Sequence, residues 1–362
     1  MGFPAILRFL RSVVRMYESK HYAGELEQMQ SLPLSAKVRM SQLRIRSWYE
    51  AFDGDVYVSR SGGKDSDVLG ALVKELYPDV PQVFVNTGLE LESVREHGKS
   101  VADTVLYPSL NFKEVILRYG YPVVSKEVSQ VIYECQTAKR LGKEYPSYHM
   151  EKLTGRKLTA AGEKSPYNME KYYFLLSAPF RISNKCCDIM KKASCKRYEK
   201  ETGRKPFLGT MAEESRLRYQ KWLKYGCNAF EEKRQTSQPL SFWTEADILQ
   251  YIKENAIEIA AAYGDVVYED ANGLMYEDVL LKDNMKLTTT KAKRTGCAFC
   301  LYGASYDERF LLLKEAEPKK YRFVMEGGEF DSEGMWIPNK HGLGFRFVID
   351  WLNEHGQLNI RY

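Results

Sequence analysis

A short loop rich in serine and glycine, Ser61-Gly62-Gly63-Lys64-Asp65-Ser66, separates a β-rich segment from a segment with helical spacing. Residues 55–59 alternate in character, and residues 68–73 continue with apolar positions suited to a helix. Glycine accepts positive φ and lets an anion approach the backbone, so N–H groups and the positive end of the helix dipole can converge on phosphate oxygens. The loop therefore predicts a phosphate site at a strand-to-helix junction of an α/β fold.

The residue after the lysine distinguishes this loop from the Walker type. A Walker loop has a serine or threonine there, which binds magnesium, whereas this chain has Asp65. A carboxylate repels nearby phosphates unless it holds Mg²⁺, so we expect Asp65 to contact the metal. The phosphate contacts are expected from the rest of the loop: Ser61, Gly62, Gly63, Lys64 and Ser66. The alternative is an ordinary turn in which an aspartate caps the helix.

These residues resemble the pyrophosphate loop, S-G-G-x-D-S, of the adenine-nucleotide α hydrolase-like superfamily, also called PP-loop ATP pyrophosphatases. Its members cleave nucleotides between the α and β phosphates. Within it, the chain is most similar to the phosphoadenosine phosphosulfate reductase family. The resemblance implies a doubly wound, mostly parallel sheet, an adenine nucleotide such as ATP with Mg²⁺, and catalytic roles for Lys64 and Asp65.

A second strand, residues 82–86, runs into Thr87-Gly88-Leu89-Glu90, which looks like the family's V-F-x-[DN]-T-G-x-E. Ligands of open parallel sheets lie at the carboxyl ends of the strands, so we expect this turn beside the phosphate loop. Thr87, Gly88 and Glu90 would then contact the nucleotide, with Glu90 on ribose hydroxyls or adenine. The alternative for Glu90 is a solvated glutamate at a helix start.

Residues 209–218 are similar to the family's G-x-R-x-x-E-S-x-x-R, with matches at Glu214, Ser215 and Arg218. Glu214 and Ser215 are expected at the nucleotide, and Arg218 would clamp phosphate or sulfate in a catalytic role. Met211 stands where sulfonucleotide reductases commonly have an arginine. A thioether cannot bind an anion, so Met211 argues against a sulfonucleotide substrate. The alternative is a charged helix with i,i+4 pairs.

Four of the seven cysteines form two pairs, Cys186-Cys187 and Cys297-Ala298-Phe299-Cys300. Four thiolates accept either a [4Fe–4S] cluster or a tetrahedral Zn²⁺. The C-C plus C-x-x-C order resembles the [4Fe–4S] site of assimilatory adenylylsulfate reductases, which implies the cluster. Disulfides are disfavoured because the cysteine count is odd and no secretory signal is visible. The other three thiols are expected to be structural: Cys135, Cys195 and Cys227.

Assimilatory reductases of the family also carry a nucleophilic cysteine in a C-terminal E-C-G-[LI]-H motif. This sequence has no cysteine after Cys300, and Asn353-Glu354-His355-Gly356 lacks the thiol. The resemblance therefore favours cleavage of ATP to AMP and pyrophosphate, which activates a substrate for sulfur transfer, as in nucleic-acid thiolation or DNA phosphorothioation. A cysteine desulfurase would be the sulfur donor. The alternatives are a sulfonucleotide reductase that makes sulfite with a thiol reductant, and a catalytically idle scaffold.

Charge and hydropathy bear on partners and location. The net charge is +5, and basic residues cluster at 185–205 and 291–294. Such a surface suits a nucleic-acid substrate, although a solvated helix face explains it as well. Apolar runs are far below membrane-spanning length, so we expect a cytoplasmic enzyme without membrane contact.

The motifs divide the chain into three predicted parts. Residues 1–48 form a helical segment, with an amphipathic helix near its start and another helix over 36–49. Residues 49–312 form the nucleotide-binding domain, which adds a third strand near 102–107, a lid at 135–175 and the four-cysteine site. Residues 313–362 form a helical segment. In the domain, Thr244 caps a helix that runs to Glu254, and the tail from Ala304 to Trp351 is expected to be helical, with a break at 326–329.

Overall fold

A computed structural model of the protein describes residues 20–279 and 284–362. Its helices are α1 (Glu25–Gln30), α2 (Leu34–Ala51), α3 (Lys64–Leu76), α4 (Glu92–Ser100), α5 (Phe112–Tyr119), α6 (Lys126–Arg140), α7 (Ser147–Leu153), α8 (Ala193–Thr202), α9 (Arg216–Tyr225), α10 (Glu245–Glu254), α11 (Arg309–Ala316), α12 (Pro318–Met325) and α13 (Phe345–Gly356). Its strands are β1 (Val56–Arg60), β2 (Gln82–Val85), β3 (Thr104–Leu106), β4 (Val123–Val124), β5 (Lys205–Leu208), β6 (Asn228–Ala229), β7 (Thr236–Ser237), β8 (Val266–Glu269), β9 (Met275–Tyr276), β10 (Lys286–Thr289), β11 (Leu301–Tyr302), β12 (Glu329–Phe330) and β13 (Trp336–Ile337).

Six strands form the central sheet, in the order β3-β2-β1-β5-β7-β6. The first five run parallel, and only β6 is antiparallel to its neighbour β7. Val58 pairs with Gln82 on one side of β1 and with Phe207 on the other. The predicted doubly wound, mostly parallel α/β fold is confirmed.

The order of the strands reverses between β1 and β5. The chain steps outward from β1 through α3 to β2 and through α4 to β3, and it later returns to the other side of β1 at β5. Open α/β sheets bind ligands at such a switch point, outside the carboxyl ends of the strands. The 61–66 loop follows β1, and residues 209–218 follow β5, so both motifs lie at this point.

Local signals in the sequence explain several of these elements. The side chain of Thr244 accepts the Asp247 N–H, Asp247 in turn accepts the Thr244 N–H, and this capping box starts α10 where it was predicted. The predicted strand near 102–107 is β3, and the predicted helix over 36–49 is part of α2. The predicted amphipathic helix at the start of the chain lies outside the described residues.

The core beneath the loop is apolar and closely packed. Val56 and Val58 of β1 and Leu69 of α3 are fully buried, as are Trp243 and Ile248 at the start of α10. At the edge of this core, the ammonium of Lys37 on α2 donates to both carboxylate oxygens of Asp247, at 2.8 and 2.7 Å. This buried ion pair links α2 to the capped end of α10.

The chain divides into two compact units that alternate along the sequence. The first comprises the described residues within 1–85, 93–106 and 197–295, and it contains the six-stranded sheet and the antiparallel sheet β10-β8-β9. The second comprises residues 86–92, 107–196 and 296–362, and it contains the pairs β11-β4 and β12-β13. The predicted boundaries at 48 and 312 stay predictions.

The second unit corrects one expectation about the tail. Helices α11, α12 and α13 occupy most of residues 309–356, as predicted, but the break at 326–329 extends into the hairpin β12-β13. The hairpin needs Gly328 at φ +91°, where an added Cβ would lie 2.3 Å from the Trp336 ring. The segment 135–175 contains the end of α6 and all of α7, and its role as a lid stays a prediction.

Candidate functional site

The loop after β1 has the backbone geometry that its glycines predict. Gly62 has φ +73°, and a Cβ at this position would lie 2.5 Å from the carbonyl oxygen of Val94. Helix α3 starts directly after Gly63, at Lys64. A side chain at position 62 would therefore strain the backbone and also collide with α4, so the tight turn requires glycine.

The serine hydroxyls hold the loop in shape. Ser66 Oγ donates to the carbonyl of Gly63 at 2.7 Å and accepts the N–H and the hydroxyl of Ser61, each at 3.1 Å. Ser61 Oγ also accepts the Gly63 N–H at 3.2 Å. Both hydroxyls are thus engaged within the loop, and their contact with phosphate stays a prediction.

A buried charged network supports the loop from behind. Arg60 donates to the carbonyl of Ser66 at 2.8 Å and to the carboxylate of Asp67, and Asp67 also lies 3.1 Å from His97 Nε2. An added Cβ at Gly70 would lie 1.8 Å from Arg60 Nη1, so this glycine makes room for the guanidinium. The network fixes the first turn of α3 relative to β1.

Lys64 is buried between two carboxylates. Its Nζ lies 3.1 Å from Asp65 and 3.0 Å from Glu245, and its side chain is 3% exposed. Burial alone would lower the pKa of Lys64, but the negative charges of Asp65 and Glu245 outweigh it and raise that pKa above the ordinary value. Lys64 is therefore a firmly protonated cation at the start of the helix.

Two arginines, Arg218 and Arg294, lie at the same edge of the sheet. Arg218 contacts Glu214 one turn earlier on the chain. Burial lowers the pKa of Arg218, the negative charge of Asp65 raises it, and the positive charge of Arg294 lowers it further. The charges of Asp65 and Arg294 are thus close enough to affect Arg218. This edge of the sheet therefore has a carboxylate that can bind a metal ion and guanidinium groups that can bind an anion.

A cavity of about 110 Å³ lies at this point. That volume is below the roughly 300–1,000 Å³ of pockets that hold a whole organic ligand, and it suits a group the size of a phosphate. Its walls come from five short segments of the first unit: Ser61, Gly63, Lys64, Asp65, Met211, Glu214, Glu245, Tyr263, Arg294 and Thr295.

The structure brings together most of the predicted loop residues and adds four that the sequence interpretation missed. Glu245, Tyr263, Arg294 and Thr295 line the cavity, and none was predicted as a site residue. Arg294 was noted only as one of the basic residues at 291–294. No motif signals Tyr263, because its contact with the loop depends on the path of the chain between α10 and β8.

The predicted residues Thr87, Gly88 and Glu90 lie in the second unit, which also contains the two cysteine pairs. Glu90 is 2% exposed, accepts the Thr87 hydroxyl at 2.7 Å and lies 3.4 Å from Lys191 Nζ. The alternative of a solvated glutamate is therefore wrong, because the carboxylate is buried and paired. Contact of these residues with a nucleotide stays a prediction.

The two cysteine pairs occupy the same part of the second unit. Cys186 and Cys187 precede a π-helical turn at Asp188–Lys192, and Cys297 and Cys300 form a tight turn in which Cys300 N–H donates to the carbonyl of Cys297 at 3.2 Å. That turn is tied to the segment of Glu90, since Ala298 N–H donates to the carbonyl of Leu89 at 2.7 Å.

The thiols influence one another electrostatically. The thiol of Cys186 donates a hydrogen bond to Cys187. This bond raises the pKa of Cys186, and so do burial and the charges of Cys297 and Cys300. The same hydrogen bond and the positive charges of Lys126 and Lys191 lower the pKa of Cys187, against the effect of burial. Burial and the charge of Cys297 raise the pKa of Cys300 to about 12.

The four thiols are suitable metal ligands by their chemistry, but their arrangement in the structure is not that of a metal site. In the described parts of the chain, no set of three or more His, Cys, Asp or Glu side chains is arranged to hold a metal ion. Four thiolates that bind Zn²⁺ at about 2.3 Å have sulfur atoms within about 4 Å of one another. The electrostatic effects among the thiols act over longer distances than this, so they do not establish metal-binding geometry. The four thiols are neighbours, and the predicted cofactor stays a prediction.

The remaining cysteines are buried: Cys135, Cys195 and Cys227. Burial and the negative charge of Glu134 raise the pKa of Cys135 to about 11, which makes it a poor nucleophile at neutral pH. Burial likewise raises the pKa of Cys227. Within the described ranges, no helix has the length and apolar character needed to cross a membrane.

Comparison with known proteins agrees with the motifs. Residues 136–269 match the family model of the phosphoadenosine phosphosulfate reductase domain. This match supports the predicted family, which is one of enzymes. The matched segment includes Cys186, Cys187 and Arg218, whereas the 61–66 loop and the second cysteine pair lie outside it.

No curated protein matches the chain. Among solved structures, the chain is similar to phosphoadenylyl-sulfate (PAPS) reductase from Candida auris, determined as a phosphate complex. The two are 15% identical over 61% of this chain and 82% of that chain, with a TM-score of 0.34.

Proposed function

We propose that the loop cavity binds the phosphates of ATP with Mg²⁺ on Asp65, and that the enzyme cleaves ATP to AMP and pyrophosphate to activate a substrate for sulfur transfer. The observation that carries this proposal is the position of Asp65, a carboxylate in the wall of a phosphate-sized cavity beside Lys64 and near Arg218. A carboxylate beside bound phosphates repels them unless a cation joins the two.

The chemistry requires the ion pairs of Lys64 to exchange. Asp65 would hold the Mg²⁺, and the ammonium of Lys64 would then be available to donate to a phosphate oxygen. A substrate oxygen attacks the α-phosphorus, the α–β bond breaks and pyrophosphate leaves. A sulfur nucleophile then displaces AMP from the activated position. Lys64, Arg218 and Arg294 stabilise the negative charge that develops on the phosphates.

Nucleotide analogues test the position of cleavage. An ATP analogue with a methylene group between the β and γ phosphates should still release AMP, because its α–β bond is intact. The analogue with methylene between the α and β phosphates should bind without turnover. Turnover of the second analogue, or release of ADP from ATP, would contradict the proposal.

We further propose that Cys186, Cys187, Cys297 and Cys300 hold a [4Fe–4S] cluster. The support is the donor set: four thiols share one neighbourhood with the cations Lys126 and Lys191. Positive charge there favours the thiolate form that iron requires. Such a cluster would supply a site that holds sulfur or fixes the local shape.

Metal analysis tests this second proposal. Anaerobically purified protein should contain about four irons per chain. Cys187→Ser should lose most of this iron, whereas the buried control Cys135→Ala should keep it. Stoichiometric zinc without iron would contradict the proposed cluster and would identify the site as a Zn²⁺ site.

The lining of the cavity is also compatible with the alternative reaction, reduction of a sulfonucleotide to sulfite. Met211 and Arg294 both line the loop cavity. An arginine from a different segment can bind the anion for which Met211 is unsuited, so Met211 no longer argues strongly against a sulfate group. Sulfite formation from an adenylylsulfate and a thiol would establish this reaction.

The acceptor and donor of sulfur are also proposals. The basic residues at 185–205 and 291–294 support a nucleic-acid acceptor, and a cysteine desulfurase is the expected donor. The test of both is a coupled assay in which sulfur from labelled cysteine appears in RNA or DNA only when ATP, the desulfurase and this enzyme are all present.

A further inference from the structure

The second unit contains a cavity of about 390 Å³ that shares no residue with the loop cavity. It lies between the end of α5, one face of α6, the segment 176–181 and the turn of the β12-β13 hairpin. Its volume is within the roughly 300–1,000 Å³ of pockets that bind organic ligands. Neither the proposed ATP cleavage nor the cysteine site uses it.

The charge of this cavity is strongly positive. Four cationic side chains line it, Arg118, Lys139, Arg140 and Arg181, and the only acidic one is Glu333. Glu333 lies 3.2 Å from Arg181 and pairs with it. In the described part of the chain, the other three cations have no carboxylate partner, and all three are exposed. Unpaired arginines at a concave surface favour a phosphate ligand, which they bind through two parallel N–H donors.

The floor of the cavity has a different character. Tyr119 and Tyr133 are half-buried, and Leu176, Ala178 and Met335 add apolar surface. Aromatic and apolar side chains beside cations suit a ligand that carries a flat ring next to a phosphate. A simple inorganic anion would leave this floor without a partner.

The wall is built before any ligand binds. Tyr133, Gln136, Thr137 and Arg140 follow the i, i+3, i+4, i+7 spacing of one face of α6. The Gln136 amide donates to the carbonyl of Phe180 at 3.2 Å and accepts the Ile182 N–H at 2.9 Å, which fixes α6 against the segment that carries Arg181.

We infer that this cavity binds a nucleoside phosphate unit, with the phosphate on Arg118 and Arg140 and the base against Tyr119 and Tyr133. The unit comes either from a free nucleotide or from a single strand of nucleic acid. The inference does not depend on the proposed cleavage of ATP, because the two cavities have separate residues.

Fluorescence anisotropy with a labelled single-stranded 12-mer of mixed sequence tests the inference. Arg118→Gln with Arg140→Gln should weaken binding about a hundredfold, because two charge-assisted phosphate contacts are lost. It should also reduce the slope of log Kd against log salt concentration by about 1 to 2. The matched control Lys113→Gln with Lys143→Gln removes two charges outside the cavity and should change Kd less than about threefold.

A second variant removes no charge. Ser177→Trp places an indole at the exposed edge of the cavity and should weaken oligonucleotide binding about tenfold or more by obstruction. Asp65→Asn should leave this binding unchanged, which separates the inference from the fate of the ATP proposal. Circular dichroism and thermal unfolding confirm that each variant is folded.

Competition assigns the source of the nucleotide unit. If UMP displaces the 12-mer, a free nucleotide suffices, and if only unlabelled strands displace it, the site recognises nucleic acid. Absence of binding by either probe would overturn the inference. An equal loss of affinity for the 12-mer in the cavity variant and in the matched control would overturn it as well. So would displacement of the 12-mer by a polyglutamate peptide as readily as by unlabelled strands.

Discussion

The phenol oxygen of Tyr263 accepts the backbone N–H of Lys64 at 3.3 Å and lies 2.6 Å from the Thr295 hydroxyl. The Lys64 N–H is in the first turn of α3, where helix N–H groups have no partner within the helix. Tyr263 therefore competes with a phosphate oxygen for a donor that the loop would present to a nucleotide. The contact also places an aromatic ring 5.5 Å from the Lys64 ammonium.

Removal of the Tyr263 hydroxyl should strengthen nucleotide binding. Tyr263→Phe eliminates the competing acceptor and keeps the ring, so the Kd for ATP with Mg²⁺ should fall about two- to tenfold, the range for one neutral hydrogen bond. Calorimetry measures this change. Tyr251→Phe, in α10, is the matched control and should leave Kd unchanged, while weaker binding by Tyr263→Phe would show that the hydroxyl contacts the ligand.

Arg294 should contribute to anion binding although no motif identifies it. Arg294→Ala should raise the Kd for ATP by about ten- to a hundredfold, as expected for loss of a charged hydrogen bond. Arg294→Lys should retain only part of the affinity for ATP that Arg294→Ala loses, because lysine lacks the planar fork of donors. Lys293→Ala removes the neighbouring charge outside the loop cavity and serves as the control, and equal effects of the two alanine variants would contradict a specific role.

The raised pKa of Lys64 determines how pH acts on the site. Because that pKa lies above the ordinary 10.5 in the folded protein, the ion pairs of Lys64 contribute fully to stability below about pH 10 and are lost only as pH rises through the raised pKa. Lys64→Ala should therefore lose the same fraction of kcat/KM at every pH from 6 to about 9. If the loss of kcat/KM in Lys64→Ala disappears at some pH within this range, Lys64 is not a protonated cation throughout it.

The buried pair of Lys37 and Asp247 should be important for stability. Lys37→Met leaves the carboxylate of Asp247 buried without its cation and should reduce the free energy of unfolding by about 3–5 kcal/mol. The exposed pair of Lys99 and Glu96 provides a contrast, and Lys99→Met should cost less than about 1 kcal/mol. Urea denaturation measures both, and equal losses would contradict the importance of burial.

Much of the first unit could be predicted from local sequence. The glycines at 62 and 63, the β-rich residues of β1 and the Thr244 capping box each determine nearby backbone, so the loop and α10 were placed correctly. The parallel sheet follows, because strands that alternate with helices pair in this way.

The rest depends on contacts between distant segments. Tyr263, Arg294 and Glu245 reach the loop through the fold of residues 245–295, and no spacing in the sequence encodes that approach. Glu90 has the family motif around it, yet its burial follows from Thr87 and from Lys191 a hundred residues later. The β12-β13 hairpin was missed because its strands are two residues each, too short for an alternating pattern.

Cleavage of ATP between the α and β phosphates is tested by analysis of the products from ATP labelled at the α-phosphorus, with both adenylylsulfate and phosphoadenylylsulfate tested in parallel. We expect labelled AMP and pyrophosphate from ATP with Mg²⁺, and a loss of activity of about a hundredfold or more in Asp65→Asn, since a metal contributes several kcal/mol to such a step. The exposed control Asp79→Asn should keep full activity. Release of labelled ADP from ATP, or sulfite from a sulfonucleotide without any AMP from ATP, would contradict this cleavage.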